Sequence, residues 1–273
     1  MMSFLNIFKS KKAEQKNIKT KNTINQKKQK NEKIATRKGE LGEYKINIEL
    51  DQLPKECKYI SDIMIENKSS KSGYSQIDHV ILTPYGIFVV ETKNYQGTIY
   101  GGRQRKTWSV NGKFKMMNPF NQNYGHIQAL KSYVDKQFHD YFISMVSFTK
   151  RSTFKVELDL RKVTSNDLII YDLELSEFIT RKIRSQDRIY KKPLFTQEDI
   201  DNIYRTLSEI NITDLSKRKY HVNQIKSNSQ GESSSSECVV CHKRVSEKVK
   251  TYCLTNKRFN GKIYCFDHQK TVK

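Results

Sequence analysis

The sequence predicts an α/β protein, a mixed β-sheet flanked by helices with a small cysteine-rich module behind it. Three observations carry that prediction. Between residues 39 and 212, helical apolar spacing and strand-like alternation succeed one another as helix, hairpins, helix, strand, helix. A polar, serine-rich stretch, NSQGESSSSE at 228–237, then interrupts the pattern. Four of the five cysteines follow it, at positions 238, 241, 253 and 265. In a chain with no export signal, such clustering favours a metal over disulfides.

The opening MMSFLNIFKSKK has neither the long apolar core nor the small-residue cleavage site of a secretory signal, so a cytoplasmic protein is expected. Its few apolar residues, backed by lysines, also suit a short peripheral anchor on an acidic membrane surface. From Lys9 to Lys38 stand twelve basic residues against two glutamates. With so little apolar content the segment cannot offset the entropy of ordering, and residues 1–38 are expected to be a disordered basic arm. The whole chain carries 50 basic and 29 acidic residues, a net charge of +21. Such a balance concentrates polyanions around the molecule.

RKGELGEYKINIEL (37–50) reads as an amphipathic helix with Leu41, Tyr44, Ile48 and Leu50 on one side. CKYISDIMIE (57–66) alternates as a strand. QIDHVILTPYGIFVVETK (76–93) is two apolar runs around a Thr83-Pro84-Tyr85-Gly86 turn, with proline and glycine where a β-turn favours them. A two-residue loop sets Asp78 opposite Glu91 and Gln76 opposite Lys93, all on one sheet face. A left-handed bulge at Gly86 would instead slip the pairing by one residue. GTIYGG (97–102) and KTWSVNGKFKMM (106–117) are further strands, the latter turning on Asn111-Gly112. Asn118-Pro119 starts a helix expected to run to Phe138. Strands at 141–149 and 167–172 and helices at 175–185 and 196–210 complete the domain, the last helix opening on a Thr-x-x-Asp capping pattern.

The chemistry lies in the hairpin. Two opposed carboxylates repel unless a cation lies between them, and a hard ion such as Mg²⁺ needs few carboxylate oxygens because it keeps several waters. Lys93, on the same face as Glu91, would address the cation-bound water and a phosphate. The same charges also suit a plain cross-strand ion pair at a sheet edge.

In order, GELGEY, QIDHVILTPYGIFVVETKN, GTIYGG, TWSV and NPFNQNYGHIQAL resemble the nuclease-related domain called NERD, grouped with the restriction-endonuclease-like PD-(D/E)XK nucleases. The resemblance spans about 38–150. It implies a restriction-endonuclease-like mixed sheet and a Mg²⁺- or Mn²⁺-dependent nuclease acting on DNA. Asp78 and Glu91 match the metal-binding acids, Lys93 the catalytic lysine, and the Thr92 carbonyl an extra metal ligand. Glu43 matches a helical glutamate that approaches the metal, and Gln76 a residue contacting the lysine or a phosphate. The competing class is a non-catalytic nucleic-acid-binding or adaptor protein held at the membrane by its first residues.

Strand alternation turns His79 to the face opposite Asp78, where it packs or hydrogen-bonds. Gln122 and His126, four apart, share one helix face and would line a DNA groove, with Asn118 ahead of them as groove residue or helix cap. Trp108 reads as core. Tyr95 and Tyr100 read as core or as stacking partners for bases.

CVVC (238–241) and CFDH (265–268) give C-x₂-C, twenty-three residues, C-x₂-H. Each half places two ligands close enough for one tetrahedral Zn²⁺, so Cys238, Cys241, Cys265 and His268 are the expected ligands of a structural zinc in a small β-ribbon. Cys253 and His242 are expected bystanders. The predicted organisation is therefore arm 1–38, nuclease-like domain 39–212, linker 213–237 and zinc module 238–273.

Overall fold

The computed structural model describes residues 44–230 and 237–272; the expected arm at 1–38, Leu41, Glu43 and the serine-rich 231–236 lie outside the described residues. The chain divides into two compact units, Met1–Asn67 with Ser75–Ile212, and Lys68–Tyr74 with Thr213–Lys273.

The first unit is a mixed α/β fold built on two mixed sheets. The larger has the order β1-β2-β3-β7-β9, with β1 Lys58–Glu66, β2 Tyr74–Thr83, β3 Gly86–Lys93, β7 Phe142–Phe148 and β9 Asp167–Tyr171. The β2–β3 pair is antiparallel, whereas β3–β7 and β7–β9 are parallel. Parallel strands need both faces covered, which explains the apolar run of β3 from Ile87 to Val90 and the burial of every residue of β7. On one face Leu82, Ile87 and Val89 meet Ile127 and Leu130 of α2 (Pro119–Lys131) and Ile200, Ile203 and Leu207 of α4 (Gln197–Glu209). On the other, Ile81, Phe88 and Val90 meet Ile46 and Leu50 of α1 (44–50) and Leu175, Phe178 and Ile179 of α3 (Leu175–Tyr190).

The smaller sheet has the order β6-β5-β4-β8, from β4 Gly97–Tyr100, β5 Thr107–Val110, β6 Phe114–Met117 and β8 Ser152–Lys155. Asn111 and Gly112 both take positive φ, 53° and 67°, as a type I′ turn requires. Trp108 is 1 % exposed and closes the third apolar cluster with Ile99, Phe120 and Phe148. Strand β8 had no expectation from sequence.

The hairpin turn resolves the register. Thr83 pairs with Gly86 and the pairing runs outward to His79 with Val90. Gly86 is absent from the positive-φ residues, so there is no left-handed bulge. It is glycine for space: a Cβ there would lie 2.9 Å from Ile143 Cδ1 and 3.0 Å from the Tyr141 carbonyl.

Four local expectations are corrected. In α1 the buried pair is Ile46 and Leu50, four apart, while Tyr44 and Ile48 are exposed; two aliphatic side chains bury without stranding a phenol hydroxyl. Helix α2 stops at Lys131, because Val134 and Phe138 must turn inward, Phe138 stacking on Phe195 at 4.5 Å. The expected linker contains α5 Leu215–Gln230, which starts where the Asp214 carboxylate accepts the N–H groups of Ser216 and Lys217 at 2.8 and 3.0 Å. The cysteine module is not a β-ribbon. Among the described residues it holds α6 Glu247–Thr255, α7 Phe266–Gln269 and a single bridge from Glu237 to Arg244. Ser246 accepts the Val249 N–H at the start of α6.

Candidate metal and catalytic sites

Register and alternation decide what the far end of the β2–β3 hairpin can do. Beyond the last pair, His79 with Val90, the next positions outward are Asp78 and Glu91. Here the Asp78 carboxylate, not a backbone carbonyl, accepts the Thr92 N–H at 2.7 Å. In an extended strand the N–H and C=O of one residue point to the same edge, so the Thr92 carbonyl faces the Asp78 side.

Glu91 is 4 % exposed and sits in a polar net. Its Oε1 accepts from Lys93 Nζ at 2.5 Å and from Gln122 Nε2 at 2.8 Å, and Gln122 Oε1 accepts from Lys93 Nζ at 3.0 Å. Gln122 therefore bridges acid and lysine, fixing both. His126 Nε2 stands 3.4 Å from Glu91 Oε2, yet that oxygen is buried without a hydrogen-bond partner. Burial opposes ionisation, but His126 and Lys93 together hold the Glu91 carboxyl below the usual carboxylate range. An ionised, buried carboxylate with one oxygen free of hydrogen bonds, beside a second carboxylate and a backbone carbonyl, fits a hard cation.

Helix α2 supplies the facing wall because Asn118 caps it. Its side-chain oxygen accepts the Phe120 N–H at 2.9 Å, Pro119 occupies the first turn, and its amide donates to the Arg103 and Arg105 carbonyls at 3.1 and 2.9 Å. Asn118 is 0 % exposed, so it is a cap and not a groove residue. Gln122 and His126 do share a face, but that face meets Glu91. Gln76 departs from expectation too, since its amide donates to Asp62 at 2.6 Å and not toward Lys93. Asp62 holds φ at 53° within β1, an interruption that the alternation of CKYISDIMIE does not announce. The signal for Gln122 was present, in the four-residue step to His126 counted from a proline-started helix. His79 faces away as expected: it is 1 % exposed, its Nδ1 lies 2.9 Å from Ser61 Oγ, and burial pulls its imidazole down to about 4. Glu43 lies outside the described residues.

In the second unit, the ligand atoms of Cys238, Cys241, Cys265 and His268 all lie within 4.8 Å of one another. Cys238 Sγ is 3.4 Å from His268 Nδ1, Cys265 Sγ 3.2 Å from the same nitrogen, and Cys241 Sγ 3.8 Å from Cys265 Sγ. Tetrahedral Zn²⁺ with metal–sulfur bonds of about 2.3 Å sets sulfurs about 3.8 Å apart, so the cluster can hold zinc. Burial opposes ionisation of Cys238, but N–H groups from Cys265, Val240 and Cys241 bring its thiol down to about 6, toward the thiolate that zinc needs. Cys253 stays outside the cluster, its sulfur 3.4 Å from the Tyr264 N–H and 3.3 Å from Gln269 Nε2. Among the described residues no helix is long and apolar enough to cross a membrane.

A family model described as nuclease-related domain matches residues 38–149. An uncharacterised protein of Bacillus anthracis is 31 % identical over 191 residues, covering 68 % of this chain and 82 % of that protein. No solved structure matches.

Proposed function

Because the chain belongs to the nuclease-related domain family, we propose that it is a Mg²⁺-dependent nuclease that hydrolyses phosphodiester bonds in DNA. The observation that carries this reading is Glu91 Oε2, buried, without a hydrogen bond and 3.4 Å from His126 Nε2, on a carboxylate whose other oxygen holds Lys93. Asp78, Glu91 and the Thr92 carbonyl would hold the ion, with Glu43 as a further residue of the site. When bound, Mg²⁺ would acidify a water and neutralise charge on the scissile phosphate.

The protein's own groups do the remaining work. Glu91 and Gln122 fix the Lys93 ammonium, which donates hydrogen bonds and offsets negative charge as the water oxygen joins phosphorus and one P–O bond breaks. Gln122 spans Glu91 and Lys93 and limits their motion before substrate arrives. Residues 39–212 form the nuclease-like part and 238–273 the zinc module, in which the metal is structural because four protein ligands leave no open position. The basic arm and the module would strengthen DNA binding through counterion release.

Purified full-length protein incubated with plasmid, linear duplex and single-stranded DNA in Mg²⁺, Mn²⁺ or EDTA tests the reading. Cleavage that requires the divalent ion is expected. DNA retention in EDTA with no metal-stimulated cleavage of any substrate would instead make it a non-catalytic binding protein.

A further inference from the structure

The outer face of the smaller sheet carries a row of side chains that the site above does not use. The register aligns one residue from each strand: Lys115 of β6 with Ser109 of β5, Ser109 with Tyr100 of β4, and Tyr100 with Lys155 of β8. Directly paired residues share a sheet face. The row one residue along, Phe154, Ile99 and Val110, turns into the apolar core, so Lys115, Ser109, Tyr100 and Lys155 turn out. Tyr100 is 40 % exposed, both lysines are exposed, and Met117 at 58 % adds apolar surface on the same side. None of the four strands contains an acidic residue.

We propose that this face is a platform for single-stranded nucleic acid, with a base stacked on Tyr100 and flanking phosphates on Lys115 and Lys155. Strands lie about 4.8 Å apart, so the two lysines, three strand spacings apart, stand about 14 Å from one another at the backbone. That spans a few nucleotides of an extended strand and puts the aromatic ring between the two cations. An intact duplex keeps its base faces stacked inside and would offer this flat surface phosphates alone, leaving Tyr100 without a partner. A polyacidic chain such as poly-glutamate would satisfy the lysines but has no ring to lay on the tyrosine. The sheet begins at Gly97, four residues after Lys93, so a strand held here lies close along the chain to the proposed catalytic lysine. The proposal rests on the nuclease reading for the fate of the bound strand, whereas binding itself does not.

The test uses full-length protein in EDTA, with fluorescence anisotropy of a short labelled oligo(dT) as readout. Tyr100→Ala is expected to weaken binding about tenfold and Tyr100→Phe to leave it near wild type, because stacking needs the ring and not the hydroxyl. Lys115→Gln with Lys155→Gln is expected to lower the magnitude of the log–log salt slope by about 1.4, two phosphate contacts on a single strand. Unchanged binding by Tyr100→Ala, an equal loss on a duplex of the same length, or equally effective competition by poly-glutamate would each overturn the proposal. Tyr100-dependent binding without cleavage on adding Mg²⁺ would sink the nuclease reading and leave the platform standing; cleavage with Tyr100-independent binding would do the reverse.

Discussion

At Glu91 the two carboxylate oxygens have different environments: one takes bonds from Lys93 and Gln122, the other is buried without any. Gln122 touches both charged partners and neither reacting atom, so it acts by positioning. Gln122→Leu is expected to lower metal-dependent cleavage about 10- to 100-fold and to weaken Mn²⁺ binding by calorimetry, with little change in thermal midpoint. His79, on the opposite face, makes a different prediction. Burial lowers its folded pKa to about 4, against about 6.5 unfolded, so between those values the native state binds fewer protons than the unfolded chain. Its contribution of about 3 kcal/mol is complete above about pH 6.5 and is lost as the pH falls to about 4. Urea unfolding across that window should show a shallower pH dependence for His79→Asn than for wild type; identical slopes would remove His79 from the account. Of these residues, the sheet faces of Asp78, Glu91, Lys93 and His79 were legible from alternation, whereas the roles of the first three came only with the family resemblance. The contact made by Gln76 was not legible, because its partner Asp62 sits at a left-handed backbone position that no local pattern marks.

The elements that hold these residues were legible where a local rule sets them and obscure where tertiary packing does. Thr83-Pro84-Tyr85-Gly86 fixed the hairpin, and Asn118-Pro119 fixed the start of α2, because turn and cap chemistry act within a few residues. The end of α2 depended on Phe138 finding Phe195 far along the chain, which periodicity within the helix does not register. Likewise the C-terminal ribbon gave way to α6 once Cys253 was buried against Tyr264 and Gln269. The α2 cap also reaches beyond its helix, since Asn118 satisfies loop carbonyls from inside a buried position as well as the helix end. Asn118→Ala should cost about 2–3 kcal/mol by urea denaturation, the loss of a cap plus unsatisfied buried carbonyls, against about 0.5 kcal/mol or less for an exposed polar residue. A cost in that lower range would mean the loop carbonyls have other partners.

For the molecule as a whole, the charge suited polyanions and an acidic membrane surface alike, and spacing picked out the Cys and His residues that the fold brings together, while the two-unit division appeared only with the fold. A structural metal would be the means by which a module this small holds its shape, because its own apolar core is slight. Zinc removal by a strong chelator should therefore abolish amide-exchange protection in 247–269 while leaving protection in β3 and β7 intact. Loss of protection in both would show the two units to fold as one. A chain this basic can attract polyanions whether or not it cuts them, so binding cannot decide its chemistry. Cleavage by wild type and Lys93→Ala, compared side by side in Mg²⁺ at matched folding by circular dichroism, decides it most directly. The geometry around Glu91 predicts that metal-dependent cleavage falls by about a hundredfold or more in the variant while DNA binding persists. Equal cleavage by the two proteins would contradict it.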